Sequence, residues 1–244
     1  MYHVFQSKDK NCFKPKADVH LAGFKKNAIC KPMSVPVLKQ AALKLNKSTL
    51  NDVVMGMAAV AIKKYMISHG ETDKKKINTI IPFSLRTIPK QKKDIMIAND
   101  FSALSFDLSL DTDLQKAVQG VKSATRKLKN SLYPWGMRAL CEVAALVPGI
   151  VGQLLGHWIF DKSTLAFSNV PGPKRGIKFG EGIYAVGFIA LVPGLGDLAF
   201  GMTGISMCDN LYFAIQSDLS YVKDPKEFKK YVEEAYEEVK KLVE

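Results

Sequence analysis

Residues 53–62, Val-Val-Met-Gly-Met-Ala-Ala-Val-Ala-Ile, contain no polar side chain. They follow Ser48-Thr49-Leu50-Asn51-Asp52, short polar residues of the kind that cap a helix, and run on to Lys63-Lys64-Tyr65 and Gly70, where a helix stops. A helix that is apolar around its whole circumference has no face to offer water, so this one is predicted to be buried. A chain of 244 residues, 47% of them apolar, is large enough to enclose it.

Helical and strand patterns are interspersed around that helix. Ser34 is placed to cap a helix whose apolar positions Val37, Leu38, Ala41, Ala42 and Leu45 follow the i, i+3, i+4 rule. Residues 77–83 read as a buried strand, bounded by Lys74-Lys75-Lys76 and by Pro82. Residues 101–108 alternate as a second strand. Asp111 or Asp113 then caps a helix with the stripe Leu114, Ala117, Val118, Val121, Ala124 and Leu128, and its basic end suits the negative pole of the helix dipole. Asp224-Pro225 opens a final helix striped by Phe228, Tyr231, Val232, Ala235, Val239 and Leu242.

Residues 139–160 are largely apolar and about as long as a membrane span. Pro148-Gly149 breaks the middle, and Glu142 and His157 interrupt it, so the prediction is a buried or lipid-contacting helical hairpin. Strands are expected near 163–169, 183–191, 200–207 and 211–218, separated by Gly/Pro-rich turns. Residues 1–33 show neither period and read as a basic, extended connecting segment, leaving 34–244 as one lobe. The fold class is α/β, a mixed sheet with flanking helices.

All the excess charge lies early: residues 1–100 hold 19 Lys/Arg against 7 Asp/Glu, while residues 101–244 hold 16 of each. Nucleic acid is excluded as a partner, because the lysines are dispersed, Arg86 is the lone arginine of that stretch, and no aromatics interleave as stacking platforms. Two readings stand: a solvated Lys-rich face, and a surface for a phosphate-bearing ligand or an anionic membrane. Cys12, Cys30, Cys141 and Cys208 lie far apart, with no CxxC pair and no histidine at metal spacing, and are predicted to be reduced thiols with no metal site. The first residues have no apolar signal core, so a cytoplasmic location is expected.

Four short motifs carry more than folding information. Thr49-Leu50-Asn51-Asp52-Val53-Val54 opens the apolar helix, and Ile81-Pro82-Phe83-Ser84-Leu85-Arg86 ends a strand. Phe167-Ser168-Asn169-Val170-Pro171-Gly172-Pro173 is a strand running into a rigid turn. Leu211-Tyr212-Phe213, Asp218 and Asp224-Pro225 follow in the tail. Asn51 and Asp52, at the start of an apolar helix, are explained by helix capping alone. Ser168 and Asn169 belong to a turn needed for folding, or place a hydrogen-bond donor near a reacting centre.

In order and spacing these motifs resemble the C-terminal half of the wax ester synthase/diacylglycerol acyltransferase family, within the CoA-dependent acyltransferase superfamily. The likeness runs from about residue 20 to the end. Two departures stand out: Ala98 precedes Asn99 where the family has Gly, and Cys208-Asp209-Asn210 replaces its Tyr-x-Gly. The resemblance implies the second lobe of the two-lobed chloramphenicol acetyltransferase-like fold, with the active site in a tunnel between lobes. It implies O-acyl transfer from acyl-CoA to a lipid alcohol or diacylglycerol, making wax ester or triacylglycerol. Acyl-CoA is then a substrate, with no separate cofactor and no metal. It also implies that Asn51, Asp52, Ser168 and Asn169 line the substrate channel, and that Pro171, Gly172 and Pro173 are a structural motif. The expected partners are those substrates, an anionic membrane surface, and an N-terminal lobe or other chain over the exposed face. The expected location is peripheral, on the cytoplasmic side of the endoplasmic reticulum membrane or a lipid droplet.

The family's catalysis is attributed to His-His-x-x-x-Asp-Gly, in which a histidine takes the proton of the attacking alcohol. The histidines here are His3, His20, His69 and His157, none of them adjacent. His69 with Asp73 and His157 with Asp161 imitate the spacing but lack the second histidine and the glycine. The leading expectation is therefore a C-terminal lobe inactive on its own. The alternatives are a non-catalytic lipid-binding or interaction module, and a single-lobe enzyme using His157 and Asp161.

Overall fold

The computed structural model describes residues 8–14, 21–84, 91, 101–146, 149–192 and 198–244. The ten apolar residues 53–62 lie inside one long helix, α2 (Leu50–Ser68), and all ten are buried. Its start is fixed by a reciprocal pair: the Asp52 N–H donates to Thr49 Oγ1 (3.2 Å) while the Thr49 N–H donates to Asp52 Oδ2 (2.9 Å). Three amphipathic helices pack around it, α1 (Val35–Lys44), α3 (Leu114–Lys129) and α6 (Pro225–Val243), each turning its apolar stripe inward. The predicted caps Ser34, Asp113 and Asp224 accept from the first turns of these helices. Gly56 sets the α2–α3 distance, since a Cβ there would lie 2.5 Å from Val118 Cγ2.

The helices cover a seven-stranded mixed sheet of order β1-β9-β8-β5-β3-β4, with a short β2 (Met33–Ser34) also paired to β9. The strands are β1 (Lys25–Ile29), β3 (Lys76–Ser84), β4 (Phe101–Ser109), β5 (Leu165–Val170), β8 (Phe200–Met207) and β9 (Asn210–Asp218). At its centre β3, β5 and β8 are parallel, with Ile80 opposite Ala166 and Asn169 opposite Gly204. The outer pairs β3–β4, β8–β9 and β1–β9 are antiparallel. A separate two-stranded ribbon, β6 (Lys178–Gly180) with β7 (Ile183–Tyr184), stands off this sheet.

Three sequence expectations need correction or sharpening. The strand expected over 183–191 shrinks to β7, and residues 185–192 run irregularly over the sheet, where the Thr203 hydroxyl donates to the Ala190 carbonyl. Of that run Val192 packs against Ile80, Ala166 and Leu198, while Val186, Phe188, Ile189 and Leu191 are exposed. The stretch read as connecting carries β1, an edge strand whose Lys25, Lys26 and Asn27 are exposed, so no alternation marks it. Upstream, Phe13 is fully buried within 5 Å of the Tyr65 and Phe200 rings, at 4.9 and 4.7 Å. Asp9 Oδ2 accepts from the Asn78 N–H and the Thr164 hydroxyl, both at 2.6 Å. The rest of that stretch, residues 1–7 and 15–20, lies outside the described residues.

The helical hairpin is present as α4 (Tyr133–Leu146) and α5 (Gly149–Phe160), beginning earlier than expected. It is not buried: α4 seats Pro134 and Met137 inward, while Leu146, Ile150 and Leu154 are 87%, 70% and 65% exposed. Among the described residues no helix is long and apolar enough to cross a membrane.

Candidate functional site

The carboxyl ends of the parallel strands β3 and β5 meet the amino terminus of α2, and there the dispersed motifs come together. Asn169, one residue before the end of β5, donates from Nδ2 to Oδ1 of Asn51 in the first turn of α2, at 3.1 Å and across 118 positions of sequence. The two asparagines border a cavity of about 110 Å³, with Met55, Phe83, Thr125 and Lys129 also in its wall. The Asn51 amide N–H groups make no hydrogen bond among the described residues and remain available to a ligand. Asp52 is different. One oxygen completes the cap with Thr49, the other accepts from the Thr125 hydroxyl at 3.1 Å, and the residue is 4% exposed. Its part is to fix α2 against α3, which in turn places Asn51.

Ser168 precedes Asn169 in the strand, so the two side chains point to opposite faces of the sheet. Ser168 lines a second, larger cavity of about 260 Å³, whose other walls include Ile80, Phe101, Phe160, Leu191 and Thr203. This slot is apolar apart from two hydroxyls. That of Thr203 is committed to Ala190, whereas that of Ser168 has no hydrogen-bond partner among the described residues. Ile81, Pro82 and Phe167 border both cavities, so the ends of β3 and β5 are the partition between them. The expected channel residues thus separate: Asn51 with Asn169 on one side, Ser168 on the other.

The Pro-Gly-Pro turn is locked onto β8. The Gly172 N–H donates to Ser206 Oγ at 3.0 Å, and the Cys208 N–H donates to the Pro173 carbonyl at 2.9 Å. A Cβ on Gly172 would sit 1.9 Å from the Ser206 carbonyl oxygen, so no other residue fits without moving the strand. Asp218, at the end of β9, clasps the start of the chain's first strand. Its carboxylate accepts from the N–H groups of Ala22, Gly23 and Ser220 at 2.9–3.0 Å. Burial alone pushes its pKa up, but the hydrogen bonds from Ser220, Ala22 and Gly23 together outweigh that and hold the carboxyl below the usual range.

Neither histidine of the two pairs lines either cavity. His157 Nδ1 lies 3.8 Å from Asp161 with its side chain 61% exposed, and Asp161 also pairs with Lys8 at 3.6 Å. His69 caps the end of α2, stacked on Tyr65 with ring centroids 4.0 Å apart. Among the described residues no group of three or more His, Cys, Asp and Glu is placed to hold a metal, and all four cysteines are free. His3, His20, Leu85, Arg86, Ala98 and Asn99 lie outside the described residues.

Sequence reasoning missed Thr125, Thr203 and Gly204. The last was detectable, because a glycine inside a strand pattern marks a close approach. A Cβ at Gly204 would lie 2.9 Å from Asn169 Oδ1.

A mixed sheet layered with helices, with polar groups at the carboxyl ends of its parallel strands, defines an α/β lobe of the CoA-dependent acyltransferase fold. The model of the WS/DGAT C-terminal domain matches residues 97–240, more than half of the chain, and the chain belongs to that family. No curated protein matches it in sequence. Its structure is similar to the wax ester synthase/diacylglycerol acyltransferase of Marinobacter aquaeolei VT8, at TM-score 0.63 and 18% identity over 95% of this chain and 51% of that one. It is also similar to PapA2 acyl transferase, at TM-score 0.56 and 9% identity, covering 93% of this chain and 47% of that one. The first condensation domain of the CDA synthetase gives TM-score 0.55 at 12% identity, again covering 93% and 47%. Likeness at such identities shows the fold, and the chain spans about half the length of these structures. The resemblance first read from the motifs and the fold class expected from it are both correct.

Proposed function

We propose that this chain forms one wall of an acyl-CoA-dependent O-acyltransferase site whose other wall, with the proton-accepting histidine, comes from a first lobe. The observation that carries this reading is the Asn51–Asn169 contact, which joins two family motifs at a cavity and leaves the Asn51 amide hydrogens free. In the transfer, a base removes the proton of a lipid alcohol or diacylglycerol, the oxygen attacks the thioester carbonyl, and CoA leaves as the thiol. Negative charge gathers on the carbonyl oxygen, where a preorganised amide donor is worth most. The apolar slot beneath Ser168 suits the hydrocarbon of an acyl chain. Lys129 at the rim of the first cavity offers a cation to the phosphates of CoA. No metal or prosthetic group enters this reading. A peripheral place on the cytoplasmic face of the endoplasmic reticulum or a lipid droplet belongs to the same proposal, since the products are insoluble lipids.

A second reading, a non-catalytic lipid-binding or interaction module of the same ancestry, is favoured by the lack of two adjacent histidines in these residues. The test compares the purified 244-residue protein with the native polypeptide or complex recovered from its cell by antibody to the α6 peptide. Both are assayed with labelled long-chain acyl-CoA plus a long-chain alcohol or diacylglycerol. Ester from the native form alone supports the two-wall reading. Ester from the 244-residue protein overturns it, and ester from neither, with acyl-CoA bound, favours the module.

A further inference from the structure

We infer that α4 and α5 are a docking wedge for an anionic bilayer surface. The two helices, of 14 and 12 residues, are too short to span a bilayer, yet they turn large apolar side chains outward. Leu132 is 84% exposed, Trp135 57%, Leu146 87%, Ile150 70% and Leu154 65%. Scattered apolar residues on a surface need no explanation, but a run of them on adjoining helices does. From 143 to 160 the chain has no Asp, Glu, Lys or Arg at all. A hairpin facing only water gains nothing from such a composition.

The charge beside the wedge selects the partner. Between Asp113 and Glu142 the chain carries six cations and no anion, and Arg126, Lys127 and Lys129 fall in the last turn of α3, just before Leu132. The first acid, Glu142, is paired with Arg138 at 2.9 Å. Along the chain Trp135 lies between the cationic turn at the end of α3 and the uncharged run from 143, the order an interfacial aromatic takes between headgroups and acyl chains. An apolar protein partner has no use for the cations, whereas anionic headgroups above hydrocarbon satisfy both features. The far end of α5 adds a consequence: Phe160 lines the slot that holds Ser168, so the membrane-facing helices lead to the apolar cavity. Only that last step rests on the acyltransferase reading.

The test is flotation of the 244-residue protein with phosphatidylcholine vesicles, with and without phosphatidylserine, in the absence of acyl-CoA. The protein is expected to float with the phosphatidylserine vesicles at low salt and to be released at about 0.5 M salt. Leu146→Asp with Ile150→Asp should cut the bound fraction about tenfold or more with an unchanged circular dichroism spectrum. Arg126→Glu with Lys127→Glu should do the same on anionic vesicles alone. Quenching of tryptophan fluorescence by brominated phosphatidylcholine in a Trp158→Phe background, where Trp135 is the one emitter, reads insertion independently of the aspartate pair. Wild-type protein left unbound, or either double variant floating like wild type, overturns the inference. So does a wild-type dimer that the aspartate pair turns to monomer without altering flotation, because a second copy is then the occupant. Ester formation is not scored here, so the docking and the chemistry fail separately.

Discussion

Asn169 and Gly204 stand opposite each other on the parallel strands β5 and β8, and the missing side chain of one makes room for the amide of the other. Held in that gap, Asn169 reaches α2 and donates to Asn51. The contact is a neutral hydrogen bond between half-buried groups, worth about 1 kcal/mol net. Asn51→Ala and Asn169→Ala should therefore each cost about 1 kcal/mol in urea unfolding, and the double variant should fall short of their sum by about 0.5 kcal/mol or more. Strict additivity would show that the asparagines are not coupled.

A sharper steric test lies one turn further along. At Gly172 an added methyl meets the Ser206 carbonyl at 1.9 Å, backbone against backbone, with no flexible side chain to yield. Gly172→Ala should destabilise by at least about 2 kcal/mol. Gly176, four residues on, has nothing within 4 Å of the same added methyl, so Gly176→Ala should stay within about 0.5 kcal/mol of wild type. Equal thermal midpoints for the two variants would mean that the turn is not seated on β8.

What the sequence discloses depends on whether a pattern is local. The apolar circumference of α2 announces its burial, and Ser34, Asp113 and Asp224 announce three helix starts, because capping involves neighbours along the chain. Alternation in a strand even implies that Ser168 and Asn169 part company, once β5 is accepted. The pairing of Asn51 with Asn169 spans 118 positions, and nothing in either motif names the other. The strand β1 is hidden because an edge strand with Lys25, Lys26 and Asn27 in solvent needs no apolar alternation. The opposite error at 183–191 arises because apolar letters alone show neither burial nor backbone pairing: Ile183, Val186, Phe188 and Leu191 are exposed, and residues 185–191 form no ladder. Exposure of Leu146 and Ile150 is likewise a tertiary fact, since the same letters describe a buried hairpin.

The thiols separate by burial. Cys30 is 3% exposed, and burial, followed by the nearby Glu233, pushes its pKa up to about 12. Cys208 is exposed at the β8–β9 turn. Since the thiolate is the nucleophile, iodoacetamide at pH 8 should modify Cys30 about a thousandfold more slowly than an unperturbed thiol. Mass spectrometry of the native protein should find Cys208 alkylated and Cys30 intact, with both modified in guanidinium. Rapid native alkylation of Cys30 would place β1 and its following residue away from the core.

Acid should loosen the clasp at Asp218. Its folded pKa lies below the unfolded value, so it contributes stability in full above the unfolded carboxylate range, near 3.9, and loses it as the pH falls through the lower folded value. Asp218→Asn keeps the shape but sets an amide N–H₂ against the backbone donors of Ala22, Gly23 and Ser220, leaving at least one of them unmatched. The variant should be about 1–2 kcal/mol less stable in urea at pH 7, the cost of a charged acceptor lost from part-buried hydrogen bonds. That deficit should hold at pH 5 and shrink at pH 3, where the wild-type carboxylate is itself giving way. A deficit that is the same at pH 7 and pH 3 would show that the charge contributes nothing. Amide exchange adds a local readout, because the Gly23 N–H should exchange faster in the variant, while the Ala22 N–H keeps the Ser220 hydroxyl as acceptor and those of α2 stay protected.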